Sequence, residues 1–264
     1  MNAPPLLPKP DLHVHTTFSD GHCSVGEAVQ AAVAAGVTHL GICDHFRTRK
    51  LPPEQTLLAS QVEGYAESVH ETAAELAPGL AVWAGLEVDF CPDRTDFRSL
   101  TLDIPWEQLD FVLFEYVGDE LNGGAALAEL LRLRADIPCR VGLAHNDLGR
   151  NFARLPPVEL LHLLEEGNIF VELCCGERSW KWVEPRQGQA WVGVPYFLDG
   201  SPYHHELYRR LADTRVLVST ATDAHAAAEE IGRVDLALRF VAQYALQGHL
   251  LTPATAPASQ PPGG

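Results

Sequence analysis

Short apolar segments alternate with segments of helical periodicity along most of the chain. Seven of the short segments are rich in Val, Ile, Leu and Phe, and each is followed by a polar or helical stretch. We predict strands at Leu12–Val14, Thr38–Cys43, Leu80–Val88, Phe111–Tyr116, Val141–Ala144, Ile169–Leu173 and Val216–Thr220. Repeated strand–helix–strand order predicts parallel pairing, which a closed barrel and an open doubly wound sheet satisfy equally well.

Helical segments fill the intervals between these strands. The first helix has the clearest signals, because Ser24 and Glu27 form a capping-box pattern and Gly36 stands where a helix commonly ends. The other helices are predicted at Pro53–Leu76, Ala125–Arg134, Val158–Glu166, Tyr203–Ala212 and Ala226–Leu246. The pattern therefore predicts an α/β protein with its strands buried between helices.

Both ends of the chain differ in composition from the remainder. Proline recurs within residues 1–9, and residues 253–264 read PATAPASQPPGG. We therefore predict a flexible tail over residues 1–9, one domain over residues 10–250, and a disordered tail rich in Pro, Ala and Gly over residues 251–264. A chain of 264 residues is long enough for a single α/β barrel.

The chain is strongly acidic, with 35 acidic residues, 19 basic residues and a formal charge of −16. Such a surface repels nucleic acid and anionic lipid, so we expect neither as a partner. No apolar run reaches 18 residues, and no apolar segment follows a basic one at the N-terminus. The six cysteines lack paired spacing. We therefore expect a reduced, cytoplasmic protein.

Histidine, aspartate and glutamate, the residue types that commonly bind metals, recur where the predicted strands end. His13 and His15 lie two residues apart at the end of the first strand, which places both imidazoles on one side of it. The later strand ends carry His45, Glu87, His145, Asp223 and His225. The C-terminal ends of parallel strands meet at one face of a barrel. Imidazoles and carboxylates gathered there would suit Zn²⁺, Mn²⁺ or Fe²⁺.

Five sequence segments, in order, carry a resemblance to a known family. DLHVHTTFSDG, CDHF, GLEVDF, LAHND and TDAH resemble the motifs of the polymerase and histidinol phosphatase (PHP) superfamily. GLEVDF and the long helix predicted between the motifs are most similar to its histidinol-phosphatase branch. The resemblance covers about residues 11 to 240. It implies a distorted (β/α)7 barrel with a trinuclear metal site at the C-terminal ends of the strands.

The resemblance also implies which residues bind each ion. The first cation would be bound by His13, His15, Glu87 and Asp223, the second by Asp20, His45 and His225, and the third by Glu87 and His145. Asp11 and Asp89 would orient the imidazoles of these ligands.

One position departs from the family pattern. The fourth strand of the family typically ends in Ser-Val-His, and that histidine completes the third metal site. Here Val117 stands in its place and cannot bind a metal. Glu115, two residues earlier on the same side of the strand, and Cys174 are two substitutes, although Cys174 and Cys175 also fit two small buried side chains. The expected cofactors are therefore two or three divalent ions, either zinc, manganese or iron.

The activity that the resemblance implies is hydrolysis of a small phosphomonoester by a metal-bridging hydroxide. Asp223, His225 or a metal-bound water would protonate the leaving group. Arg150, Arg178 and Lys181 are expected to contact the phosphate, because each lies in a loop predicted at the active face.

Two other functions remain open at this point. One is a different metal-dependent hydrolase, such as a nuclease or a phosphodiesterase, against which the charge of −16 counts. The other is a metal-binding domain without catalysis, against which the presence of eight ligand candidates counts. The sequence does not indicate an oligomeric state.

Overall fold

A computed structural model describes residues 8–97, 100, 104–176, 180–183 and 192–255, with the backbone alone for residues 181–183 and 192. Seven parallel strands form one sheet in the order β1-β2-β3-β4-β5-β6-β9. These strands are β1 (Pro10–Val14), β2 (His39–Phe46), β3 (Ala81–Asp89), β4 (Phe111–Glu115), β5 (Arg140–Leu143), β6 (Ile169–Cys174) and β9 (Val218–Ala221), and a separate pair is formed by β7 (Trp180–Val183) and β8 (Val192–Pro195). All seven strands predicted from the sequence overlap a strand of this sheet.

The first and last strands of the sheet are joined to each other. The Asp223 amide donates to the His13 carbonyl at 2.9 Å, and the His15 amide donates to the Ala224 carbonyl at 3.0 Å. The register of β1 shifts between Asp11 and Val14, which makes the closure irregular. These bonds close the sheet and confirm the predicted distorted (β/α)7 barrel.

Seven α-helices among the described residues connect the strands. They are α1 (Val25–Ala34), α2 (Val62–Leu76), α3 (Leu127–Leu133), α4 (Leu148–Asn151), α5 (Pro157–Glu166), α6 (Pro202–Leu211) and α7 (Asp235–Gln243). The predicted capping box of α1 is present, because the Ser24 hydroxyl accepts from the Glu27 amide and the Glu27 carboxylate accepts from the Ser24 amide. Within the described residues, none of the helices combines the length and hydrophobicity needed to cross a bilayer.

Two helices begin later than predicted. Two 3₁₀ turns, Pro53–Gln55 and Ala59–Gln61, precede α2. The helix predicted over Ala226–Leu246 begins only at Asp235. Gly232 interrupts it, because this residue has a φ of 80° and donates its amide to the Asp11 carboxylate at 2.7 Å.

Aromatic side chains fill the barrel interior opposite glycines. A Cβ atom on Gly85 would lie 2.4 Å from the Phe111 ring, and one on Gly142 would lie 2.3 Å from the Phe170 ring. Both distances are far below van der Waals contact, so only glycine leaves room for these rings inside the barrel. These aromatic side chains fill the barrel interior away from the C-terminal ends of the strands, where polar side chains lie instead.

The folded region extends beyond the predicted domain boundary at residue 250. Leu251 is buried in the interior cluster, and its amide donates to the Val218 carbonyl at 2.8 Å. The predicted disordered tail over residues 251–264 is therefore wrong at its beginning, where Leu251 and Thr252 are buried. Residues 256–264 lie outside the described residues.

A two-stranded antiparallel hairpin, β7 and β8, follows the sixth barrel strand. The sequence pattern predicted a loop at Arg178 and Lys181, whereas Lys181 lies in β7. The predicted phosphate ligand Arg178 lies outside the described residues. The structure describes only the backbone of Lys181, the other predicted phosphate ligand near Arg178, and places it in β7.

Candidate metal centre

Side chains from seven strand ends converge at the C-terminal end of the barrel. They are His13 on β1, His15 and Asp20 after β1, His45 on β2, Glu87 on β3, Glu115 on β4, His145 after β5, Glu172 on β6, and Asp223 and His225 after β9. All eight predicted metal ligands belong to this set. The set forms three clusters that could each hold an ion.

The first cluster contains His13, His15, Glu87 and Asp223. The Nε2 atoms of the two histidines lie 2.9 Å apart. His13 Nε2 is 3.6 Å from Glu87 Oε2 and 3.7 Å from Asp223 Oδ1. The corresponding distances from His15 Nε2 are 3.4 Å and 3.3 Å.

These distances fit a tetrahedral metal site. Four ligands bound at 2.0–2.1 Å in a tetrahedron lie about 3.3 Å from one another. The five measured separations in the first cluster range from 2.9 to 3.7 Å. The donor set therefore fits a small divalent cation such as Zn²⁺.

The second cluster contains Asp20, His45 and His225, with His15 beside them. Asp20 Oδ1 lies 3.6 Å from His45 Nε2 and 3.3 Å from His225 Nε2. The Nδ1 atom of His225 lies 2.8 Å from the Asp223 carbonyl, to which it donates. That bond leaves Nε2 facing Asp20, where its lone pair would bind a cation.

The third cluster contains His45, Glu87 and Glu115, and His145 lies at its edge. His145 Nε2 lies 2.8 Å from Glu87 Oε1 and 4.0 Å from Glu115 Oε2. The other Glu87 oxygen faces the first cluster and lies 2.9 Å from His45 Nδ1. The carboxylate of Glu87 therefore stands between all three clusters.

A buried carboxylate that the sequence analysis missed orients two of these residues. Glu172 Oε1 lies 2.9 Å from His13 Nδ1, and Glu172 Oε2 accepts the His145 amide at 2.7 Å. Because a carboxylate only accepts, His13 donates from Nδ1 and presents the lone pair of Nε2 to the first cluster. A single glutamate within the apolar strand IFVELC was the sequence signal for this role.

The two carboxylates expected to orient imidazoles hold backbone segments instead. Asp11 accepts from the amide and hydroxyl of Thr222 at 2.9 and 2.8 Å. Asp89 accepts from the Arg94 guanidinium at 2.7 Å and from the Thr48 hydroxyl at 2.9 Å. Asp11 thus fixes the junction of β1 and β9, and Asp89 fixes the loop after β2.

Two predicted ligands adopt left-handed backbone conformations. The φ angles are 28° for His145 and 54° for Asp223. Such angles are unfavourable for residues other than glycine and concentrate at functional sites. At both positions the turn directs the side chain back over the end of the barrel.

The electrostatics of the cluster suit cation binding. Burial alone would raise the pKa of Glu87, but His45, His13 and Lys50 hold it well below its usual range. Burial and the neighbouring His45 and His225 keep the pKa of His15 well below 6.5, so the imidazole of His15 is neutral, as a metal ligand must be. Burial opposes protonation of His145, but Glu87 raises its pKa to about 9.

The fourth strand departs from the family pattern as the sequence suggested. It ends at Glu115, and Tyr116 turns the chain with a φ of 64°. Val117 is buried in the apolar layer outside the barrel. Glu115 is buried on the inner face and forms an ion pair with Lys50 that the sequence analysis missed. A lysine in the loop after β2 had no strand-end signal.

The other substitute, Cys174, lies at the end of β6 but belongs to none of the metal clusters found among the described residues. Its Sγ accepts from the Gly176 amide at 3.4 Å. Cys174 is therefore better described as a small buried side chain than as a ligand.

A cavity of about 150 Å³ opens over the clusters. Lys50, His145, Arg150 and Tyr196 are among its lining residues. The guanidinium of Arg150 lies 2.5 Å from the Asp119 carboxylate, which holds it at the rim. Arg150 is therefore at the predicted face, although a carboxylate already neutralises it.

Comparison with known proteins identifies relatives of this arrangement. A segment of 87 residues is 32% identical to the DNA polymerase/3′-5′ exonuclease PolX of Bacillus subtilis, and it spans 33% of this chain but only 15% of that protein. The structure of a histidinol phosphate phosphatase from Lactococcus lactis, complexed with zinc, L-histidinol and phosphate, superimposes with a TM-score of 0.56 at 18% identity. That match covers 92% of this chain and 95% of the other.

A protein from Listeria monocytogenes assigned as a histidinol phosphatase superimposes with a TM-score of 0.54 at 16% identity, over 85% of this chain and 98% of the other. At these identities the two structures establish the fold. The model of the PHP domain family matches residues 11–174, which is more than half of the chain and includes the first six barrel strands. The chain therefore belongs to the PHP domain family.

Proposed function

We propose that this protein is a metal-dependent phosphomonoesterase that acts on a small phosphorylated substrate. The observation that carries the proposal is the closeness of the first and second clusters, because Glu87 Oε2 lies 3.4 Å from His15 Nε2 of the first and 2.9 Å from His45 Nδ1 of the second. Cations held in these two clusters would lie side by side, as in enzymes that cleave phosphate esters with two metals.

The residues of the clusters hold the ions and keep their own geometry fixed. His13, His15, Glu87 and Asp223 would hold one cation, and Asp20, His45 and His225 a second. When bound, such cations lower the pKa of water and neutralise phosphate oxygens. The burial of these ligands keeps the donor atoms at their positions before any ion arrives, which reduces the cost of binding it.

The cavity supports a small substrate. Its volume of about 150 Å³ is below the roughly 300–1,000 Å³ typical of sites for drug-sized ligands. The ammonium of Lys50 and the guanidinium of Arg150 both line it and would contact phosphate oxygens. A formal charge of −16 opposes a polyanionic substrate such as DNA.

Proton delivery to the leaving group falls to Asp223 in this proposal. His225 is less suited to it, because Nδ1 donates to the Asp223 carbonyl and Nε2 faces the second cluster. Asp223 lines the cavity beside His15. Its proton would come from the water that attacks the ester, because the imidazoles of His15 and His13 hold the pKa of the free carboxyl below its usual range despite burial.

Elemental analysis together with a phosphate-release screen tests the proposal. The screen contains small phosphomonoesters, including histidinol phosphate, a phosphodiester and single-stranded DNA, each with and without a chelator. We expect stoichiometric divalent metal and chelator-sensitive release from monoesters, restored by zinc, manganese or iron. Metal without release would indicate a metal-binding domain, and preferential cleavage of the diester or DNA would indicate a different hydrolase.

A further inference from the structure

The third cluster contains a cation that belongs to the protein itself. The Lys50 ammonium contacts Glu115, whose side chain is 1% exposed, while the Lys50 side chain is 23% exposed. Glu115 lies on the inner face of β4, in the cluster that also contains Glu87 and His45. The ammonium therefore reaches from a loop into the group of carboxylates that a third ion would occupy.

The loop after β2 holds this lysine in place. The Thr48 hydroxyl donates to the Asp89 carboxylate at 2.9 Å and accepts the Lys50 amide at 3.1 Å. The ammonium also lies 5.6 Å from the centroid of the Tyr116 ring, within the range of a cation–π contact. The position of Lys50 is thus set by backbone, ring and carboxylate contacts together.

A divalent ion would compete directly with this ammonium. Glu115 Oε2 lies 4.0 Å from His145 Nε2, and these two groups would be the ligands of a third ion together with Glu87. Glu115 already has Lys50 as its counter-ion. A second cation on the same carboxylate would lie within a few ångströms of the ammonium in a buried site, where like charges repel strongly.

The residue at the end of β4 offers no compensation. Val117 points into the apolar layer outside the barrel, so the strand supplies no imidazole to replace the carboxylate that Lys50 occupies. Lys50 also lines the cavity beside His145. An ammonium is a recurrent ligand of phosphate oxygens.

We propose that the Lys50 ammonium takes the place of a third divalent cation, so that the centre holds two metal ions and one fixed ammonium facing the phosphate site. This inference rests on the proposed function for its phosphate, and on the geometry of Glu115 for the exclusion of the ion. It predicts a metal stoichiometry that differs from the trinuclear centre implied by the family resemblance.

Metal stoichiometry tests the inference. The wild-type chain, saturated with Zn²⁺ and freed of excess ion, is expected to retain two equivalents by elemental analysis. The Lys50→Met variant leaves Glu115 without its counter-ion and is expected to bind a third equivalent of Zn²⁺. The Lys50→Arg variant keeps the positive charge and is expected to retain two equivalents. Lys9→Met is the matched control, because the Lys9 ammonium bonds to the Ala35 carbonyl, outside the metal clusters. The Lys9→Met variant should also retain two equivalents of Zn²⁺.

A double variant locates the added ion. Lys50→Met combined with Glu115→Gln is expected to return to two equivalents, because the third ion loses a ligand. Melting temperatures of all variants check folding, and Lys50→Gln repeats the measurement if Lys50→Met does not fold.

Three equivalents in the wild type, or two in a folded Lys50→Met variant, would overturn the inference. If the wild type holds two ions and releases phosphate while Lys50→Met stays at two, the proposed function stands and this inference fails. Fewer than two ions in the wild type would overturn both.

Discussion

His13 Nδ1 lies 2.9 Å from Glu172 Oε1, although 159 residues separate the two along the chain. This contact fixes the tautomer of a predicted metal ligand and the direction of its lone pair. Glu172 also accepts the amide of His145 at 2.7 Å, so one buried carboxylate orders parts of two clusters. Both of its oxygens are engaged in these contacts, and the geometry of the centre depends on them.

Replacing Glu172 should therefore weaken metal binding without removing a ligand. We expect Glu172→Ala to lower zinc affinity by roughly 10–100-fold, the usual cost of losing a carboxylate that orients a ligating histidine. Glu172→Gln should lose less, because its amide oxygen can still accept from His13. Competition with a chromophoric chelator measures both affinities.

Glu165→Ala provides the control for Glu172. Glu165 lies at the end of α5 and pairs with Arg215 at 2.9 Å on the surface. The Glu165→Ala variant should therefore bind zinc with the same affinity as the wild type. Equal losses in the Glu172 and Glu165 variants would mean that the effect is one of general stability.

His13→Ala removes a ligand of the first cluster and should abolish most turnover. We expect a loss of more than about 100-fold in kcat/KM, beyond the range reached by changing an orienting residue. His70→Ala is the matched control and should retain turnover, because His70 is exposed and pairs with Asp110 outside the metal clusters. Steady-state kinetics with a chromogenic phosphomonoester compares them, and turnover retained in a folded His13→Ala protein would contradict the assigned centre.

Metal binding should release protons at neutral pH. Burial would lower the pKa of His13, but Glu172 and Glu87 raise it well above 6.5, so the imidazole carries a proton in the metal-free protein at pH 7. An ion in the first cluster must displace that proton, and zinc affinity should consequently rise as the pH increases. Calorimetric titrations in two buffers of different ionisation enthalpy count the protons. An affinity that does not change between pH 6 and 9 would contradict the structure.

Gly142→Ala should destabilise the barrel. Its new Cβ atom would lie 2.3 Å from the Phe170 ring in the packed interior, and overpacking of this kind costs about 1–3 kcal/mol in the free energy of unfolding. Gly64→Ala is the control, because Gly64 lies within α2 with nothing within 4 Å of the added carbon. It should stabilise the protein by up to about 1 kcal/mol. Urea unfolding of both variants measures the difference.

The strands and the face of the barrel that bears the site could be predicted because they follow local rules. Short apolar runs and ligand residues at their ends were sufficient to place His13, Glu87 and His145 at one end of a parallel barrel. The sequence also predicted that Val117 replaces the histidine that ends the fourth strand in the family. The roles of the ligands stay predictions until metal and turnover are measured.

The residues that the sequence analysis missed act through contacts that no local pattern encodes. Lys50 reaches Glu115 from a loop 65 residues earlier, and Glu172 is one acid in an apolar strand. The error in the last helix has a similar cause, because the amide of Gly232 bonds to Asp11 near the other end of the chain. The packing of Leu251 was missed because its segment resembles a tail in composition.

The closure of the barrel also sets the order in which the chain can fold. Asp11 receives the Thr222 amide across 211 residues, so the segment that closes the barrel against β1 is synthesised long after β1 and β2. At about 5–20 residues per second, a ribosome needs roughly 10 to 40 s between the two. Throughout that time the free edge of β1 is open to pairing with other chains, and the predicted metal ligand His13 lacks its neighbour Asp223.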